Sequence, residues 1–254
     1  MPAGYILCAN PRSGSTLLCD LLGTAGAGAP DSFFMENPGA EWEAAWGLPT
    51  PGTLPPAEEA RAHLAAALRA GRGGTPVFGA RLMRRDLPRL MAMLALAHSG
   101  LPTDRARIEA AFGPTLFIHL TRADRLAQAV SLIKAQQTGL WHIGPDGHEI
   151  ERLSPPAPPV YDRERIATEL ARFTALDAAW TDWFAAQGIE PLRLDYDALA
   201  RDPAATVTTL CSALGLPAPD PARLTPGVAP LADATSRDWI ARFRAETGPE
   251  SGPE

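Results

Sequence analysis

Tyr5-Ile6-Leu7-Cys8-Ala9-Asn10-Pro11-Arg12-Ser13-Gly14-Ser15-Thr16-Leu17-Leu18 sets the architecture of the chain. Its apolar start is a strand, its middle is a short loop of small residues around one arginine, and its end opens a helix. That order builds an anion socket. Gly14 lets the backbone approach a ligand, Ser13, Ser15 and Thr16 bring hydroxyls, and the first N–H groups of the helix have no internal partner. Arg12 adds a planar fork of donors that matches a pair of phosphate or sulfate oxygens.

Outward from this segment, strands and helices alternate. Gly23 is expected to end the first helix, and a loop from Thr24 to about Pro38 carries Phe33-Phe34 at its centre. Ala57–Ala70 reads as a helix stopped by Gly71, Val77–Met83 as a strand, and Leu87–His98 as a helix with Pro88 in its first turn. Thr115–Thr121 is nearly continuous apolar sequence, the pattern of a strand buried on both faces. A helix follows over Asp124–Thr138. Gly139–Val160, with its Pro-Asp-Gly turn and proline run, is expected to be an extended, partly mobile flap. A long helix over Arg163–Gln187 leads to the strand Glu190–Leu194, and further helices fall at Pro203–Leu214 and Ser236–Ala245. The pattern predicts an α/β fold, a P-loop-type mostly parallel sheet with helices on both faces in three layers, and ligand sites at the carboxyl ends of the strands. Residues 1–247 form one expected domain, and 248–254 an expected disordered tail.

The net charge of −6 removes the general positive field of a nucleic-acid binder, so any anionic ligand must be held by local cations. Of the 23 basic residues all but Lys134 are arginine, so position rather than number has to identify a site. Cys8, Cys19 and Cys211 are widely spaced and odd in number, which argues against a disulfide framework and a zinc site and favours the cytoplasm. No apolar run approaches a membrane span, and the N-terminal strand lacks a basic leader.

Chemistry has three places to sit. The loop Arg12–Thr16 lacks the lysine of a nucleotide triphosphatase P-loop, because Ser15 follows Gly14, so ordinary ATP chemistry fits poorly and a P-loop kinase is disfavoured. Arg122 closes the strand from Thr115, and Ser131 follows in the next helix; both can meet one anion, or Arg122 can pair locally with Asp124, and spacing leaves both readings open. The third place is the segment around Phe33-Phe34, where Asp31 or Glu36 beside aromatics can serve as a base for a hydroxyl acceptor, unless these are solvated loop charges.

Taken in order, Arg12-Ser13-Gly14-Ser15-Thr16-Leu17-Leu18, Pro30 with Phe33-Phe34, Gly79 with Leu82-Met83, Arg122 with Asp124, Gln128-Ala129-Val130-Ser131, Gln137-Thr138 with Trp141, Asp195-Tyr196 and Arg237-Asp238-Trp239 resemble the PAPS-dependent sulfotransferases, in their bacterial trehalose 2-sulfotransferase-like branch. The resemblance implies that Arg12–Thr16 grip the 5′-phosphosulfate of 3′-phosphoadenosine 5′-phosphosulfate (PAPS), and that Arg122 and Ser131 hold its 3′-phosphate. It further implies direct transfer of the sulfuryl group to a hydroxyl of a carbohydrate or glycolipid, release of adenosine 3′,5′-bisphosphate, no metal, and a homodimer. Two positions depart from that pattern. Relatives carry a glutamate, proposed as general base, where Ser32 stands, which leaves Glu36, then Asp31, then His119 as replacements. They also carry a lysine where Arg81 stands. A catalytically silent nucleotide-binding protein is the rival from a different class.

Overall fold

A computed structural model describes residues 1–248 of the chain. The expected tail falls almost wholly on 249–254, outside the described residues. Four strands, β1 (Gly4–Ala9), β2 (Phe78–Met83), β3 (Thr115–Thr121) and β6 (Leu192–Asp195), form a parallel sheet in the order β2-β1-β3-β6. Two more, β4 (Leu140–Ile143) and β5 (Glu149–Arg152), pair as an antiparallel hairpin apart from it.

The alternation of side chains along β1 explains the layers. Ile6 and Cys8 join a core with Phe78, Ala80, Leu82 and Phe117, covered by α3 (Pro56–Arg72), α4 (Leu87–Ala97) and α7 (Arg163–Ala186). Tyr5, Leu7 and Ala9 join the opposite core with Ile118 and Leu120, covered by α1 (Ser15–Thr24) and α9 (Pro203–Ala213). Both faces of β1 are therefore dry, which is why its residues are apolar throughout. Beyond β3, α6 (Arg125–Thr138) is clasped by α7 and α10 (Ala234–Thr247) through Val130, Ile133, Ile166, Trp239 and Phe243. The one lysine, Lys134, ties α6 to the start of α10 through Asp233 and Ser236.

Several boundaries move for identifiable reasons. α3 runs past Gly71 to Gly73, whose φ of 53° makes the turn. Gly71 is instead a packing residue, since a Cβ there would lie 2.5 Å from the Gly79 carbonyl and 2.6 Å from the Phe78 ring. Gly23 lies inside α1, and the chain reverses at Gly26 with φ 73°. Residues 139–152 fold back as the β4–β5 hairpin around Pro145-Asp146-Gly147 rather than lying extended. The helices α2 (Ala40–Trp46), α5 (Asp104–Phe112) and α8 (Tyr196–Arg201) are additional to the sequence expectation. No helix among the described residues is long and apolar enough to cross a membrane.

Candidate active site

At the carboxyl end of β1 the backbone turns through left-handed conformations at Arg12, φ 63°, and Gly14, φ 85°. Two side chains hold this loop from outside. Gln128 Nε2 on α6 donates to the Pro11 carbonyl at 2.7 Å, and Asn10 Nδ2 donates to Asp177 Oδ1 on α7 at 2.7 Å. Gly14 precedes α1 without a side-chain cap, and the first turn of α1 contains no acidic residue, so its N–H groups face outward unneutralised. A Cβ on Gly14 would lie 2.4 Å from the Tyr196 ring. Gly14→Ala is thus expected to destabilise the protein by about 1–3 kcal/mol from the backbone strain alone. It would also push Tyr196 aside. Thermal unfolding checks the first effect.

Arg12 Nε donates to Ser131 Oγ at 3.0 Å, and its Nη1 donates to the Trp141 carbonyl on β4 at 2.9 Å. Arg122, at the end of β3, donates from Nη1 to the Arg12 carbonyl at 3.2 Å and lies over the Tyr196 ring at 4.6 Å. Among the described residues neither arginine has a carboxylate within salt-bridge distance. Asp124 instead caps α6 by accepting from Ala127 N at 2.8 Å, so the local Arg122–Asp124 pair does not form. Burial first, and then the neighbouring Arg122, lower the Arg12 guanidinium from its usual value, while Glu151 partly offsets them. Two adjacent cations without a countercharge suit an anion. Their cavity, about 140 Å³, is lined also by Thr16, Ser131, Trp141 and Tyr196. Among the described residues the buried Ser13 Oγ and Arg122 Nε have no partner.

The carboxylates of the third expected place lie elsewhere. Asp31 Oδ1 accepts from Ser32 N at 2.7 Å and faces Arg81 Nη2 at 3.4 Å, while Oδ2 accepts from Trp46 Nε1 at 3.2 Å. Arg81 also donates to Ser32 Oγ and Thr16 Oγ1, both at 2.8 Å, which binds Asp31 and Ser32 to the loop as a framework. Glu36 is exposed and lies outside the cavity lining. Phe33 and Phe34 turn into the core. His119 is buried between Trp180 and Phe184, where burial lowers its pKa, and it too is absent from the cavity lining.

A family model of the Stf0 sulphotransferases matches residues 4–246. The chain belongs to that family. This Stf0 sulphotransferase is 31% identical over 265 residues to a trehalose 2-sulfotransferase of Mycolicibacterium smegmatis, covering 96% of each chain. It is 32% identical over 271 residues to a trehalose 2-sulfotransferase of Mycobacterium tuberculosis, covering 95% of this chain and 94% of the other. Among solved structures, the sulfotransferase domain from the Synechococcus PCC 7002 olefin synthase aligns over 98% of this chain and 90% of its own, with 18% identity and a TM-score of 0.42.

The cavity is also lined by residues that the sequence does not single out. His142 on β4 lines the cavity, and its Nδ1 lies 2.5 Å from Glu151 Oε2 on β5. The hydrogen bond from His142 holds the Glu151 carboxyl below its usual value against desolvation, helped by the charges of Arg81 and Arg12. Residues 228–232 close the cavity from another side, anchored where Ala229 N donates to the Ile143 carbonyl at 2.8 Å. Only strand register joins His142 to Glu151. A linear sequence carries no signal for it beyond the proximity of Trp141.

Proposed function

We propose that this sulphotransferase moves the sulfuryl group of PAPS to a hydroxyl of a carbohydrate or glycolipid. One observation carries the reading: Arg12 and Arg122 stand side by side, without carboxylate partners, at the open N-terminus of α1. Arg12–Thr16 would surround the 5′-phosphosulfate, and Arg122 with Ser131 the 3′-phosphate. The orphaned Ser13 Oγ and Arg122 Nε fit such a ligand, since each is a buried polar atom that a phosphate oxygen can satisfy. When bound, the donor supplies an activated sulfuryl group; Arg12 and the helix amides are placed to stabilise charge on the departing phosphate oxygen. The names of the two mycobacterial relatives support a carbohydrate acceptor. Three free cysteines fit a reducing cytoplasm.

Thermal unfolding with adenosine 3′,5′-bisphosphate, set against AMP and ATP, tests the donor. Bisphosphate at 100 times its dissociation constant should stabilise by about 2.7 kcal/mol. Equal effects of AMP and bisphosphate would overturn the reading. Arg122→Ala is expected to weaken bisphosphate binding by about tenfold or more while leaving AMP binding nearly unchanged, because a charged hydrogen bond contributes roughly 1.5–3 kcal/mol. A catalytically silent nucleotide-binding protein is the second reading, favoured by the position of Asp31 and Glu36 outside the cavity lining. It requires tight bisphosphate binding with no transfer to any acceptor.

A further inference from the structure

Neither carboxylate beside Phe33-Phe34 is placed to take a proton in the cavity, yet transfer to a hydroxyl needs a base there. We propose that His142 is that base and that Glu151 is the positioning residue that orients its imidazole. The assignment rests on the donor reading above. His142 shares the cavity with Arg12, Thr16 and Ser131, and the residue before it lends its carbonyl to Arg12 Nη1 at 2.9 Å. The imidazole is therefore one peptide unit away from the arginine assigned to the phosphosulfate.

Glu151 accepts from Nδ1 at 2.5 Å, which fixes the proton on that nitrogen and leaves the Nε2 lone pair as the free base. Among the described residues Nε2 has no hydrogen-bond partner. The charged groups facing the pair are Arg12 from the loop and Arg81 from β2, which both act on Glu151; Arg122 and Tyr196 line the cavity beyond. In the transfer step the acceptor O–H gives its proton to His142 Nε2 as the acceptor oxygen bonds to sulfur. The bond from sulfur to the bridging oxygen of the 5′-phosphate breaks, and its electron pair stays on that oxygen. The imidazolium then returns the proton to solvent.

A merely structural role is the alternative, since His142 and Glu151 are also cross-strand neighbours that pin the hairpin. Carbethoxylation of the wild-type protein by diethyl pyrocarbonate, mapped by mass spectrometry, separates the two without needing an acceptor. PAPS should protect His142 several-fold and leave the exposed His148 unaffected; equal modification of His142 with and without PAPS overturns the assignment. Turnover of labelled PAPS, with trehalose and other sugars or as slow release of sulfate to water, should fall about 10²–10⁴-fold in His142→Gln. Bisphosphate-induced stabilisation should persist in that variant, and imidazole should restore part of the rate. Glu151→Gln should lower kcat while leaving the KM for PAPS within about twofold, and Glu151→Asp should restore part of the rate. Turnover in His142→Gln within about twofold of wild type would leave the donor site standing and remove the base. Failure of bisphosphate to stabilise the wild type would overturn the donor reading and this assignment together.

Discussion

Arg12→Ala is expected to lower sulfuryl transfer by about 10³-fold, the scale seen when one preorganised cation or donor is removed from a transition state. Arg12 uses two donors, Nε to Ser131 and Nη1 to the Trp141 carbonyl, so its plane is fixed before any ligand arrives. Lysine offers one compact charge and cannot span both partners, and Arg12→Lys should recover only a minor part of the rate. Stability should respond in the opposite sense. Burial and the neighbouring Arg122 work against the Arg12 charge in the free protein, so truncation removes an unfavourable term. The melting temperature of ligand-free Arg12→Ala should match or exceed that of wild type, while its bisphosphate-induced shift is lost. A rate within threefold of wild type, or a sharply lower melting temperature, would contradict this account of the loop.

Trp180→Ala is expected to cost about 3–5 kcal/mol of stability, as for other fully buried aromatic side chains. Trp180 has no exposed surface, stacks on Phe184 at 5.5 Å and meets Trp183 edge-on at 5.7 Å. Its indole Nε1 also donates to the Ala9 carbonyl, at the last residue of β1, at 3.3 Å. The same side chain therefore fills the core and satisfies the backbone where the anion loop begins. Trp180→Phe separates the two roles, retaining most of the volume and losing the N–H, at an expected cost of about 1 kcal/mol from the hydrogen bond. Urea unfolding of the pair measures both. If Trp180→Phe costs as much as Trp180→Ala, the hydrogen bond rather than the packing is dominant.

What could be read from the sequence depended on whether the physics was local. β1 and β3 were legible because strands buried on both faces must be apolar throughout. The turn of the loop was legible because the left-handed backbone at Gly14 and the start of α1 are set by their own neighbourhood. α5 was not, because only Ile108 and Phe112 on it are buried, too few to set a helical period. Gly71 misled for a related reason, since a glycine required by a close crossing with β2 looks the same in sequence as one that ends a helix. The surroundings of Phe33 and Phe34 were hardest. Whether an aromatic pair faces solvent or core decides what the carboxylates beside it can do, and Phe33 and Phe34 face the core. His142 and Glu151 meet only through hairpin pairing, and the contribution of Trp141 to Arg12 is a carbonyl, which every residue possesses.

That last contact separates two requirements on the hairpin. A main-chain oxygen is unchanged by mutation, so β4 keeps its hold on Arg12 whichever side chains it carries, provided the strand stays in register. The side chains of residues 140–152 other than His142 and Glu151 can then vary while the contact with Arg12 is preserved. A library randomised over those side chains, with Gly139, Gly144, His142 and Glu151 retained, tests whether the hairpin governs acceptor choice under the proposed function.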